Sequence, residues 1–150
     1  MTPYRHIVCA TDFSEASQRA CVRATVIANC FGARLTLLHV VENFPEDRSN
    51  DVIAPEDADP RHYRESEARD QLMKTVGRVG CPDAGRVVRF TTQSAWHEIV
   101  RFSREVDADL LVIADHAHSA RLALGTTTAA EVAAHPPCDV LMARAPAEED

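Results

Sequence analysis

His6-Ile7-Val8-Cys9-Ala10-Thr11-Asp12-Phe13-Ser14-Glu15-Ala16 reads as three pieces in succession. His6 to Ala10 is a short apolar run of strand length, and Thr11-Asp12 stops it. Ser14 is a helix N-cap, because its short hydroxyl can accept from the N–H groups that a first helical turn leaves free. Behind it Ala16, Ala20, Ala24, Ile27, Ala28 and Phe31 recur at helical spacing, and Gly32 ends the helix.

The same alternation continues along the chain. Leu35 to Val41 is nearly all apolar, the pattern of a strand covered on both faces. Glu42 to Pro60 breaks the periodicity with three prolines and seven carboxylates, and reads as a long acidic surface loop. A helix follows from about Arg61 to Val79, with Ala68, Leu72, Thr75, Val76 and Val79 facing inward. Arg86 to Thr92 is strand three. Ser94 caps a helix carrying Trp96, Ile99, Val100, Ser103 and Val106 along one side. Leu110 to Ala114 is strand four and Asp139 to Ala143 strand five. Thr128 to Glu131 fits a capping box before the last helix, which stops at Pro136-Pro137. Residues 146–150 are an acidic tail expected to fray.

Strands alternating with helices predict an α/β fold, a doubly wound three-layer α/β/α domain around a five-stranded parallel sheet. In such folds ligands bind at the carboxyl ends of the strands, where the winding reverses. Thr11 to Ser14, after strand one, and Asp115 to Thr128, after strand four, are expected to border that crevice. One domain spans 1–150, since 150 residues suit a single core.

Composition narrows the function. A net charge of −7 argues against a nucleic-acid binder, which needs a basic face. Fifteen of the sixteen basic residues are arginine, so chemistry that needs a pocket lysine has one candidate, Lys74, on a predicted helix. Five dispersed cysteines without a C-x-x-C pair read as reduced intracellular thiols. No leader pattern and no run of about 18 apolar residues appears, so a cytoplasmic protein without membrane contact is expected. There is no Walker sequence and no G-x-S-x-G, and no catalytic residue is assigned. A phosphate-receiver domain is set aside because the region after strand five offers only Arg144 where a lysine is needed.

Four segments in register, Thr11-Asp12-Phe13-Ser14-Glu15-Ala16, Leu37-Leu38-His39-Val40-Val41, Ala108-Asp109-Leu110-Leu111-Val112-Ile113 and His135-Pro136-Pro137-Cys138-Asp139-Val140-Leu141, resemble the universal stress protein family. The resemblance spans about residues 5 to 144. It implies a Rossmann-like fold of the adenine nucleotide alpha hydrolase type with strand order 3-2-1-4-5, and a homodimer formed through strand five at Val140, Leu141 and Met142. It also implies a stress-response binding or regulatory protein with an unidentified protein partner and ATP or AMP as ligand, magnesium entering only with bound ATP. The residues matched to nucleotide contacts are Thr11 and Asp12, the backbone at Val40, and the positions of a G-x2-G-x9-G-[S/T] loop at Ala114, Ala117, Gly125, Thr126 and Thr127. Here alanines replace the paired glycines, and seven residues rather than nine separate Ala117 from Gly125. Which threonine stands for the family's Ser/Thr is open between two registers. An alanine forced into a left-handed backbone costs roughly 1–2 kcal/mol. Two such penalties weaken binding about ten- to a thousandfold. Slow ATP hydrolysis or self-phosphorylation at Thr126 to Thr128 is implied by the resemblance alone. An interaction module of the same fold without a nucleotide is the alternative function.

Several residues carry two readings. Asp12 contacts ribose or magnesium, or caps the first helix or the turn before it. His116 and His118 form an H-x-H pair, but no third ligand has defined spacing, so no metal site is assigned. His39 reads as a satisfied core histidine and Trp96 as core packing. Arg121 is a candidate phosphate partner. Cys9 and Cys138 read as small buried hydrophobes.

Overall fold

The structure, a computed structural model of the chain, describes residues 4–42, 60–115 and 127–144. Five strands and four helices alternate: β1 (His6–Ala10), α1 (Glu15–Phe31), β2 (Arg34–Val41), α2 (Pro60–Val79), β3 (Gly85–Phe90), α3 (Ala95–Glu105), β4 (Leu110–Asp115), α4 (Thr128–Ala134) and β5 (Asp139–Arg144). All strand pairs are parallel and the order is β3-β2-β1-β4-β5, as expected. The acidic stretch 43–59 and the tail 145–150 lie outside the described residues.

Apolar runs form the central strands because both sheet faces are covered. Ile7 and Cys9 of β1, Leu35 and Leu37 of β2 and Val112 of β4 meet α1 and α2 through Ala20, Cys21, Ala24, Ala28, Leu72 and Val76. Val8 and Ala10, with Leu38, Leu111 and Ile113, face α3 and α4 through Ile99, Val100, Phe102, Ala129 and Val132. Small residues along the inner face of α1 let that helix lie close to β1. Its ends are those read from sequence. The Ser14 hydroxyl accepts from Ser17 N–H, and Gly32 takes φ 65°, a left-handed turn that a side chain would strain.

The register of the middle of the sheet is pinned at its lower end. The Asp109 carboxylate accepts the backbone N–H groups of Arg5 at 2.9 Å and His6 at 3.0 Å, tying the start of β1 to the turn before β4. Ile7 then lies opposite Leu110, and Cys9 opposite Val112. The His6 ring is buried and shares a 2.8 Å hydrogen bond with the Thr36 hydroxyl on β2. Burial, reinforced by the Arg34 charge, holds the His6 imidazole below its ordinary value.

Several boundaries differ from the sequence reading by one residue: β2 begins at Arg34, α2 at Pro60, β4 ends at Asp115 and β5 at Arg144, and β3 and the last helix differ further. β3 begins at Gly85, where an added side chain would come within 3.3 Å of the Thr36 hydroxyl, and it ends at Phe90. The Thr91 hydroxyl accepts Gln93 N–H at 3.0 Å, turning the chain out of the sheet before Thr92. At the last helix the expected capping box from Thr128 to Glu131 is displaced by one residue. Thr127 is the N-cap, extended at φ −119° and ψ 165°, and its Oγ1 accepts Ala130 N–H at 3.1 Å. Thr128 is already helical, so its hydroxyl cannot reach back over the first turn.

α3 shows a cap from outside its own sequence. Ser94 has N-cap backbone angles, yet its hydroxyl makes no cap bond. The Glu42 carboxylate, just past β2, instead accepts Ala95 N–H at 2.9 Å. Glu42→Ala is therefore expected to cost about 1 kcal/mol, the usual loss for a helix N-terminal acceptor, while Ser94→Ala changes little. Urea midpoints of the two variants check this, and the reverse ranking would show that Ser94 is the working cap.

Candidate functional site

The crevice originates in unequal strand lengths. β1 pairs with β2 only as far as Ala10 opposite Leu38, whereas β2 runs on to Val41 against β3. Thr11 N–H still donates to Leu38 O at 2.9 Å, and then the chain leaves the sheet. Backbone groups of successive residues in a parallel strand point to opposite edges. Leu38 points toward β1, His39 toward β3, and Val40 toward β1 again. The amide and carbonyl of Val40 thus face the space that β1 has vacated.

His39 shapes the same space. Its Nδ1 lies 2.8 Å from Thr11 O, so the ring nitrogen is the donor and the carbonyl accepts. This bond occupies the Thr11 oxygen that the Val40 amide would otherwise meet if the ladder continued. The imidazole stacks on Phe13 at 4.2 Å between centroids. Phe13 has φ 69°, a left-handed backbone uncommon for an aromatic residue. The stack and the Phe13 N–H bond to Thr11 Oγ1 at 3.0 Å hold it there. Burial keeps the His39 imidazole below the ordinary 6.5. The Thr11 carbonyl and the Asp12 carboxylate oppose that, and the Arg64 charge adds to it.

The turn itself is closed by its own polar groups. Asp12 Oδ1 accepts Ser14 N–H at 3.0 Å, so Asp12 caps the turn before α1 while Ser14 caps the helix. Its carboxylate stays exposed at the crevice mouth. Thr11 Oγ1 and Ser17 Oγ are 2.9 Å apart beneath it. Among the described residues no buried side-chain nitrogen or oxygen lacks a partner.

Across the crevice, the β1–β4 register puts Thr11 level with Ala114. Ala114 is a buried strand residue that packs toward the α1 side, and its φ is not positive. The left-handed penalty considered for alanine at this position does not apply, because β4 continues through Asp115. Asp115 forms an ion pair with Arg144 at 3.3 Å, a clamp across the ends of β4 and β5 that sequence reading did not anticipate. Ala117, Gly125 and Thr126, together with His116, His118 and Arg121, lie outside the described residues. Thr127 precedes α4 as its N-cap, its hydroxyl engaged with Ala130 N–H.

Other singled-out residues fall away from the crevice. Lys74 is exposed on α2. Trp96 packs against the α3–α4 side of the core and stacks on His97 at 3.8 Å and His135 at 4.7 Å. These rings border an open groove of about 450 Å³ together with Val100, Arg101, Arg104 and Pro136. Cys138 is half-buried, its thiol pushed up to about 11 by burial and by Asp139 and Asp109. Val140, Leu141 and Met142 lie in β5, an edge strand that pairs with β4. Among the described residues no group of three or more His, Cys, Asp or Glu forms a metal cluster, and no helix is long and apolar enough to cross a membrane.

Comparison with known proteins gives a consistent picture. Residues 3–144 match the sequence model of the universal stress protein family. "Universal stress protein A homolog 1" of Coxiella burnetii is 28% identical over 138 residues, covering 92% of this chain and 94% of that protein. A universal stress protein in complex with cAMP superposes with a TM-score of 0.68 at 24% identity, covering 93% of this chain and 97% of the other. The universal stress protein from Archaeoglobus fulgidus in complex with dAMP gives 0.62 at 20% identity, covering 95% and 98%.

The histidine geometry sets the acid response. His6 and His39 are both held below 6.5 in the folded chain, so the unfolded chain takes up protons first. Stability is whole above pH 6.5 and falls as the pH drops from there through the folded values. NMR titration of the His39 ring should give a midpoint below 6.5, and a midpoint at or above it would overturn the assignment.

Proposed function

The chain belongs to the universal stress protein family, and on that premise we propose that it is a dimeric stress-response regulator that binds an adenine mononucleotide of the AMP type in the crevice above β1. One observation carries the reading: β2 outruns β1, so the Val40 amide and carbonyl point into a space bordered by Thr11 and Asp12. An amide and a carbonyl on one residue are a donor and an acceptor suited to the edge of a purine. Asp12, with Oδ1 on the turn, presents its carboxylate to the ribose hydroxyls. Ala114 forms the wall opposite, and Thr127, with Ala117, Gly125 and Thr126 by resemblance, supplies the remaining ribose and phosphate contacts.

Charge favours a mononucleotide over ATP. Asp12 and Asp115 both border the crevice, and the chain as a whole carries −7. Each added phosphate charge meets that field, although Arg144 offsets Asp115. The cAMP and dAMP bound by the structurally similar proteins point the same way. Magnesium has a role here only beside ATP.

The dimer follows from the edge of the sheet. Val140, Leu141 and Met142 are half-buried on a strand paired on one side, and pairing with a second copy across a two-fold axis would satisfy its free edge.

Isothermal titration with AMP, cAMP and ATP tests the ligand. Saturable heat, strongest for the monophosphates, is expected. Asp12→Asn keeps an acceptor for Ser14 but loses the charge, and should weaken binding about tenfold or more. Absence of heat with all three nucleotides would favour the interaction-module reading. Light scattering of the eluting peak checks the assembly: twice 16.5 kDa is expected, and a monomer would refute pairing through β5.

A further inference from the structure

The least-used reactive groups in the fold lie directly under the crevice. Cys9 of β1 and Cys21 of α1 are both fully buried, and their sulfurs are 3.5 Å apart, with the Cys9 thiol donating to Cys21. Two unbonded sulfurs so close, on two different elements, need to approach by only about 1.5 Å to reach the roughly 2.05 Å of a disulfide. We propose that Cys9 and Cys21 are a modification site, a reversible intramolecular disulfide formed when the chain meets a peroxide.

The surroundings bias the two thiols in opposite directions. Cys21 is the sulfur on the receiving side of the thiol bond, and the Thr11 hydroxyl also supports it. Both contacts favour its thiolate and hold its thiol below the ordinary value against the effect of burial. Cys9 is pushed well above its ordinary value by its bond to Cys21 and by burial. The 3.5 Å contact fixes the cross-link, and the step is written with Cys21 attacking and Cys9 resolving. Thr11, at the end of β1, contacts Cys21, and hydrogen peroxide is small and uncharged.

The step balances without another component. The Cys21 thiolate attacks one peroxide oxygen, the O–O bond breaks, and hydroxide leaves to take up the proton that Cys21 gave up. Cys21 is now a sulfenic acid. Cys9 loses its proton and attacks the Cys21 sulfur, the S–O bond breaks, and the departing hydroxide becomes a second water. Two thiols lose two electrons and two protons, and one peroxide is reduced to two waters.

Cys81 is a competing neighbour, because it is buried in the same core cluster as Cys9 and Cys21. It lies at the end of α2, and its thiol is engaged with Thr25. The other two cysteines do not compete: Cys30 is exposed on the last turn of α1 and Cys138 precedes β5.

The test uses the wild-type full chain and needs no nucleotide, so it stands or falls apart from the ligand proposal. Folded protein is exposed to hydrogen peroxide, quenched, alkylated under denaturing conditions and mapped by mass spectrometry. The expected product is a monomer two hydrogens lighter, with a Cys9–Cys21 cross-linked peptide that dithiothreitol reverses. Cross-linking should persist in Cys81→Ser and vanish in Cys9→Ser and Cys21→Ser. If either of the last two fails to fold, the wild-type peptide map decides alone. Full alkylation of Cys9 and Cys21 after peroxide, added oxygens on either sulfur in place of the cross-link, or a Cys21–Cys81 bridge would each overturn the assignment.

Discussion

The pairing of β1 with β4 is the constraint on which the rest of this fold depends. β1 is the first strand in sequence and the middle one in space, with β2 on one edge and β4 on the other. The chain must therefore wind outward in one direction through β2 and β3, then return across the sheet to start again beside β1. That return places α1 and α2 on one face and α3 and α4 on the other. Asp109 fixes the register by holding the first two amides of the region entering β1. Shifting it by one residue would turn Val8 and Ile7 to the wrong faces and move Thr11 away from Ala114.

Above that junction, the crevice is a place where the sheet stops unevenly rather than a hole carved in the core. β1 ends early, its turn is closed by Thr11, Asp12, Ser14 and Ser17 among themselves, and β2 continues alone on that edge. The strained Phe13 backbone is held by a stacked ring and a hydrogen bond, each worth on the order of 1 kcal/mol, comparable to the cost of its left-handed conformation. The described part of the crevice is thus built from strand ends and a turn whose polar groups are already engaged.

Most of the architecture was legible because it depends on local patterns. Apolar runs marked the strands, and Ser14 and Gly32 marked both ends of α1. The misses share a physical cause: each needs a partner distant in sequence. Glu42 caps a helix that begins 53 positions later, and nothing near Ser94 announces that its hydroxyl is idle. Thr127 and Thr128 are chemically equivalent in sequence, and only the extended backbone at Thr127 selects the first. Around the end of β1, where Thr11, Asp12 and Val40 lie, the His39–Phe13 stack and the Asp115–Arg144 clamp were not foreseen. A histidine in an apolar strand gives no sign of which carbonyl it will find.

The packing of Trp96 has an optical consequence. It is the sole tryptophan, and its indole is layered with two imidazoles on the α3–α4 flank, apart from the turn at Thr11. Its emission is a local gauge of that flank. Light excited in the indole alone therefore reports on one side of the sheet, while Tyr4 and Tyr63 sit on the other.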